Sequence, residues 1–197
     1  MPISNFIAMT VTACISVWSP GPNNIMLLST ASRYGVKKNM PFMAGIWTGA
    51  MFVMSMCGLL GQTLSAAVPG IQPVMQYIAT GYLLYLAWQT YKRQPPSSGK
   101  DQELPTYLTG MFLQLVNVKM IIYGLSIFAS YVVPYVQSRL LTIAYAFYLM
   151  CIGAVGNLIW AIAGNALKQF YEKHYKGMNL VMALLLVWCA MRILGIC

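Results

Sequence analysis

Apolar residues run along the chain in six long blocks, separated by short polar or basic stretches. Crossing the hydrocarbon core of a bilayer takes about 20 mostly apolar residues. The blocks therefore predict spans near residues 3–31, 40–63, 72–91, 105–131, 139–166 and 178–195. Prolines punctuate them. Pro41, Pro73 and Pro105 each fall where a first helical turn would lie and the missing N–H does no harm, and Pro134 closes the fourth span. The expectation is an all-α integral membrane protein with about six transmembrane helices. The longest polar stretch, YKRQPPSSGKDQELP at 91–105, sits near the middle of the chain. Residues 1–197 thus read as a single membrane domain, with halves of roughly 1–92 and 104–197 linked by the loop 92–104.

Two blocks carry an interruption. In the first, SVWSPGPNNIMLL at 16–28 places Pro20, Gly21 and Pro22 before Asn23 and Asn24. Each proline removes a backbone donor and clashes with the preceding turn. A carbonyl freed in hydrocarbon costs several kcal/mol unless something satisfies it. In the fourth block, FLQLVNVKMIIYG at 112–124 sets Gln114, Asn117 and Lys119 inside an apolar run. Asn23 and Asn117 stand nearly half a chain length apart, and YLLYLAWQ at 82–89 is weakly echoed by ALLLVWCA at 183–190. Three spans, a loop and three more spans imply two inverted three-helix repeats with interrupted first and fourth helices. That plan is a signature of secondary transporters, whose sites lie near the midplane between the repeats.

Charge sets the direction. The chain is 59% hydrophobic and 8% charged, with 12 basic and 3 acidic residues and a net charge of +9. An ordinary soluble domain is about a quarter charged. Arg33, Lys37 and Lys38 follow the first span, Lys92, Arg93 and Lys100 the third, and Lys168, Lys173 and Lys176 the fifth. Only Arg139 and Arg192 fall on the other side. This is the positive-inside pattern rather than a nucleic-acid surface, and it turns both termini outward. A five-span version with an inside N-terminus stays open if the broken first block does not cross. The N-terminus lacks the charged region and cleavage site of a signal peptide and reads as a retained span. Cys14, Cys57, Cys151, Cys189 and Cys197 form no CxxC pair and read as small apolar residues rather than disulfides or metal ligands. His174, the single histidine, reads as a solvated residue of a basic loop. No cofactor or metal is expected.

Lys119 carries the most weight. A lysine at membrane depth costs roughly 2.5–3.5 kcal/mol and usually faces a cavity or a partner; the plain alternative is snorkelling to an interface. No predicted span contains Asp or Glu, so a substrate carboxylate is the counter-charge we expect for it. Further candidates are Asn157 and Trp160 in GNLIWAIAGN at 156–165. Asn157 fits an interhelical hydrogen bond and a pore lining equally well. Gly45, Gly49, Gly153 and Gly156 read as helix-packing positions, and Trp18, Trp88 and Trp188 as interfacial belt residues. An enzyme would need a nucleophile–base or metal constellation, and no span supplies His, Asp or Glu to build one.

SPGPNNIMLLSTASRYGVKKNMPFMAGIWTGA at 19–50 resembles the signature of the LysE/RhtB family of bacterial amino-acid exporters, with its P-G-P-N core. LQLVNVKMIIYG at 113–124 falls where that family usually carries Asn-Pro-Lys, with Val118 here in place of the proline. That replacement, with LVMALLLVWCAMRI at 180–193, is most similar to the branch that exports cysteine and O-acetylserine. The resemblance covers essentially the whole chain. It implies export of small neutral amino acids across the bacterial inner membrane. It carries Pro20, Gly21, Pro22 and Asn23 onto the first motif and Asn117 and Lys119 onto the second. Many family members have an acidic residue near the position of Ala50, and this chain has none.

The expected mechanism is alternating access. The half-helix after Pro22 would aim its N–H groups at the substrate carboxylate, with Lys119 adding a full charge. Asn23, Asn24, Gln114, Asn117, Asn157 and Trp160 would surround the substrate, and carbonyls near residues 16–19 would accept from its ammonium. Neighbours on a helix stand about 100° apart, so Asn23 and Asn24 cannot both point straight at one small site. Expected partners are the amino-acid substrate and the lipid bilayer, with protons and a homo-oligomer left open. Proton linkage would run through Lys119; facilitated diffusion is the other course. The rival readings are a small membrane channel and an exporter of homoserine, threonine or basic amino acids.

Overall fold

A computed structural model describes residues 1–18, 21–61, 77, 80–92 and 105–193. Among these every regular element is helical. Helix α1 (Ile3–Trp18) is predominantly apolar and buries fully only Met9 and Ala13. Helix α2 (Pro22–Tyr34) begins with Pro22 in its first turn, after Gly21 in extended backbone. It is the reverse of α1: ten of its 13 residues are buried, several of them polar. Its hydroxyls turn inward on its own backbone, Thr30 donating to Met26 O at 2.7 Å and Ser32 to Ser29 O at 2.9 Å. That local satisfaction lets a polar helix occupy the centre.

Gly35, at φ 82° and ψ 166°, ends α2 in a conformation that side chains avoid. Helix α3 (Val36–Leu59) starts at once, earlier than the expected start at residue 40, so Pro41 lies inside it. The proline is tolerated because the carbonyl it leaves unbonded belongs to the exposed first turn at Lys37. Helix α4 covers residues 80–92. Much of the expected third span and of the central loop falls outside the described residues. Helix α5 (Tyr107–Leu115) opens with a reciprocal cap between Thr106 and Thr109. Helix α6 (Val118–Ile127) follows at 59° and ends in a π-helical turn, Phe128–Val132. Helix α7 (Arg139–Ala166) is unbroken. Helix α8 (Lys168–Ile193) has one non-helical residue, His174. The stretch expected as a basic loop before residue 178 is therefore mostly helical: its Lys, Gln and Glu are good helix formers, and polarity alone argued for a loop.

Helices α3 and α7 are each long and apolar enough to cross a membrane, with mean hydropathy of 1.6 and 1.8. Two bent pairs join them, α1–α2 at 54° and α5–α6. The first pair runs parallel to α7 from end to end. Asn5 meets Tyr135 just before α7 starts, Thr10 meets Tyr148, Trp18 meets Ile152, and Gly35 meets Asn165 at its far end. The broken first segment thus covers the same depth as a 28-residue helix, about 40 Å. The second pair tracks α3 in the same way, from Gly45 beside Tyr107 to Gly58 beside Phe128. Exposed Val11, Ile15, Phe147, Ile159 and Leu184 give the outer faces an apolar coat. The molecule is a multi-pass, all-α membrane protein.

The interior forms two apolar clusters. One gathers Ile25, Met26, Phe42, Met43, Ile46, Leu83 and Leu186 around α2. The other gathers Met9, Met54, Tyr123, Phe128 and Leu149 around α1 and α6. Helix α3 contributes to both, and a cavity lies between them.

Candidate functional site

The cavity holds about 580 Å³ of empty space, part of it continuous with the outside. Its walls come from both halves: Gly21, Pro22, Asn23 and Asn24 of the first break, Gln114, Asn117 and Lys119 of the second, and Gly153 and Asn157 of α7. Trp47 lies near the midpoint of α3 and Gly153 near that of α7, so the cavity is at mid-depth.

Each break is tied off by side chains. Asn24 is 4% exposed and acts as a brace: its Nδ2 donates to Val17 O at 2.9 Å, and its Oδ1 accepts from Asn157 Nδ2 at 2.9 Å. Trp160 does not line the cavity; its indole N–H donates to Trp18 O at 2.9 Å. Trp18 in turn donates to Ile152 O at 2.9 Å and packs against Gly156, where an added Cβ would collide with its ring. The carbonyls of Val17 and Trp18, expected to receive a substrate ammonium, thus already receive protein donors. Pro20 lies outside the described residues.

Asn23 points across the cavity instead, its Nδ2 donating to Gln114 Oε1 of the other half. The two asparagines divide the work, as their angular separation on a helix requires. Asn117 is the N-cap of α6, its Oδ1 accepting from Met120 N at 3.4 Å. It sets the direction of the second half-helix, and Val118 takes the first helical position. Lys119 sits one residue further on, lines the cavity and is an exposed residue. A cation in the first turn of a helix reinforces the positive end of the dipole rather than offsetting it. Two half-helix N-termini and one ammonium therefore bring positive potential to one mid-depth cavity. That arrangement suits a carboxylate.

Sequence reasoning passed over Trp47 and Tyr123, which also line the cavity. Tyr123 stands four residues after Lys119, on the same helix face, and that spacing could have flagged it. Trp47 offered no such signal, because tryptophans in membrane proteins are mostly belt residues. Gly153, expected to serve packing, has open space where a Cβ would stand and lines the cavity. Gly45 and Gly110 do serve close packing: an added Cβ would fall 2.0 Å from Tyr107 O and 2.2 Å from Phe42 O.

The family model for the LysE type translocator matches residues 14–195, nearly the whole chain. A protein of Klebsiella pneumoniae named a cysteine/O-acetylserine efflux protein is 34% identical over 97% of this chain and 96% of its own length. Proteins of the same name from Escherichia coli K12 and Shigella flexneri are each 31% identical over 91% of this chain and 92% of theirs. No solved structure matches the chain. Two interrupted half-helices facing one mid-depth cavity, with a match along almost the entire sequence, lead to one assignment: the chain belongs to the LysE type translocator family.

Proposed function

We propose that this protein exports small neutral amino acids, cysteine and O-acetylserine among them, across the bacterial inner membrane by alternating access. One observation carries the reading: the N-terminal ends of α2 and α6, from opposite halves of the chain, line the same cavity together with Lys119. The names of the relatives support the substrate class. In the proposed bound state the substrate carboxylate takes N–H groups at these two helix ends and the Lys119 ammonium. The Asn23–Gln114 pair bridges the two halves across the same cavity. The bent pairs α1–α2 and α5–α6 supply the flexible joints that take up the change in angle as the cavity opens to one side and then the other. No bond of the substrate is made or broken, so the protein acts as a carrier rather than an enzyme. Among the described residues the spans hold no Asp or Glu, and we assign any proton movement to Lys119.

The test is efflux from vesicles containing the purified protein and loaded with labelled amino acids, with and without an imposed proton gradient. Cysteine and O-acetylserine are expected to leave faster than from protein-free vesicles, and a gradient-dependent rate marks proton linkage. Retention of every small neutral amino acid under both conditions sinks the reading.

A further inference from the structure

Eight side-chain polar atoms among the described residues are buried without a hydrogen-bond partner, and three of them belong to residues that line this one cavity. They are Asn23 Oδ1 on α2, Trp47 Nε1 on α3 and Tyr123 OH on α6. Elsewhere around the cavity polar groups are matched, as in the Asn24–Asn157 and Asn23–Gln114 pairs. A buried donor or acceptor left unmade is costly, and native proteins keep such groups where a water, an ion or a ligand supplies the partner.

The three atoms differ in chemistry. Asn23 Oδ1 can only accept, an indole N–H can only donate, and a phenol can do either. The helix ends and Lys119 already account for a substrate carboxylate. An α-ammonium is the natural donor for Asn23 Oδ1. That leaves Trp47 Nε1 and Tyr123 OH, one on each half of the chain, for the rest of a small amino acid. A hydroxyl, a thiol or an ester carbonyl offers both of them an acceptor; an aliphatic side chain offers neither. We infer that Trp47 and Tyr123 read the substrate's side chain, selecting short amino acids with a hydrogen-bonding atom beyond Cβ or on it over aliphatic ones of equal size. The inference rests on the exporter reading and adds the basis of its selectivity. Both atoms are closed to water in this conformation. Substrate reaches them as the wall adapts around it, and Met120 and Met150 in that wall are unbranched, readily repacked side chains.

Cysteine and 2-aminobutyrate are nearly the same shape and differ by a thiol against a methyl; serine and alanine give a second comparison. In loaded vesicles the wild-type protein is expected to export cysteine over 2-aminobutyrate by about threefold, the scale of one weak hydrogen bond to a thiol. Tyr123→Phe and Trp47→Phe should each bring that ratio toward one mainly by slowing cysteine, while 2-aminobutyrate export persists. Wild-type protein that exports both pairs equally overturns the inference without any variant and leaves the exporter reading intact. Variants that retain the wild-type ratio overturn it as well. Wild-type vesicles that hold back all four amino acids overturn the exporter reading itself, and this inference with it.

Discussion

Asn24 shows how a single side chain makes a broken helix tolerable. Its amide serves a carbonyl released by the break, and its oxygen takes a donor from α7, so both that carbonyl and the asparagine are bonded within the protein. Asn24→Ala removes both bonds and strands Val17 O and Asn157 Nδ2. A loss of about 1–3 kcal/mol is expected, read as a lower melting midpoint in detergent. Asn157→Ala should cost less, because Val17 O keeps its donor. A double-mutant cycle should give a coupling of about 1 kcal/mol; additive effects would mean that the pair does not interact. Lys119 is the opposite kind of residue, placed where its charge burdens the helix that carries it. Lys119→Met is expected to assemble normally and to lose most efflux. A wild-type rate from the assembled variant would remove Lys119 from the site.

Both breaks were legible in the sequence, because prolines, asparagines and a lysine are conspicuous in an apolar run. Their partners were not. Trp47 and Tyr123 are residue types that membrane helices use freely; the step of four from Lys119 is a signal for Tyr123, but packing alone brings Trp47 to the cavity. The division between Asn23 and Asn24 also needed the fold, since the helix constrains their separation but not their bearing. Trp160 was misplaced for a related reason: polar tips in a glycine-rich segment suggest a lining, yet this one serves a carbonyl next door.

At the scale of elements, the α3–α5 seam brings two backbones into the closest approach among the described residues and joins the two halves of the chain. Gly45 and Gly110 let the two backbones meet with no side chain between them. Gly110→Ala must push α5 off Phe42 and Ile46, and overpacking of this kind costs about 1–3 kcal/mol. It should lower the melting midpoint by several degrees, or the yield of folded protein, measured by size exclusion. Gly81→Ala, where the added methyl meets open space in a helix, should lower neither. Equal behaviour of the two variants would mean that the seam is looser than described. Because α3 and α5 are so closely fitted, they should move as one unit during transport, and the bends take up the change in angle.

For the molecule as a whole, the contacts fix which chain segments share a face. Gly35 meets Asn165, so the basic clusters at 33–38 and 168–176 lie together, while Asn5 meets Tyr135 at the other end. By the positive-inside rule we propose that both of these clusters face the cytoplasm. A reporter active only outside the membrane should be silent when fused after Lys37 or Lys176 and active after Ser138. The reverse pattern would invert the molecule. That the chain is helical and embedded in a membrane was readable because long apolar blocks encode it. The parallel course of the bent first pair beside α7 was not, since the residues that create it are spread over more than a hundred positions.

That same parallel course bears on how the protein is made. Helix α2 is polar and almost wholly buried, and its brace depends on Asn157, 133 residues later in the chain. At about 5–20 residues per second, the ribosome delivers that partner roughly 7–27 s after Asn24 emerges. Until then the second half of the first span has little reason to stay in lipid, and a nascent chain stalled before α7 should hold its opening segment only loosely. The first crossing to be synthesised is thus among the last to be completed.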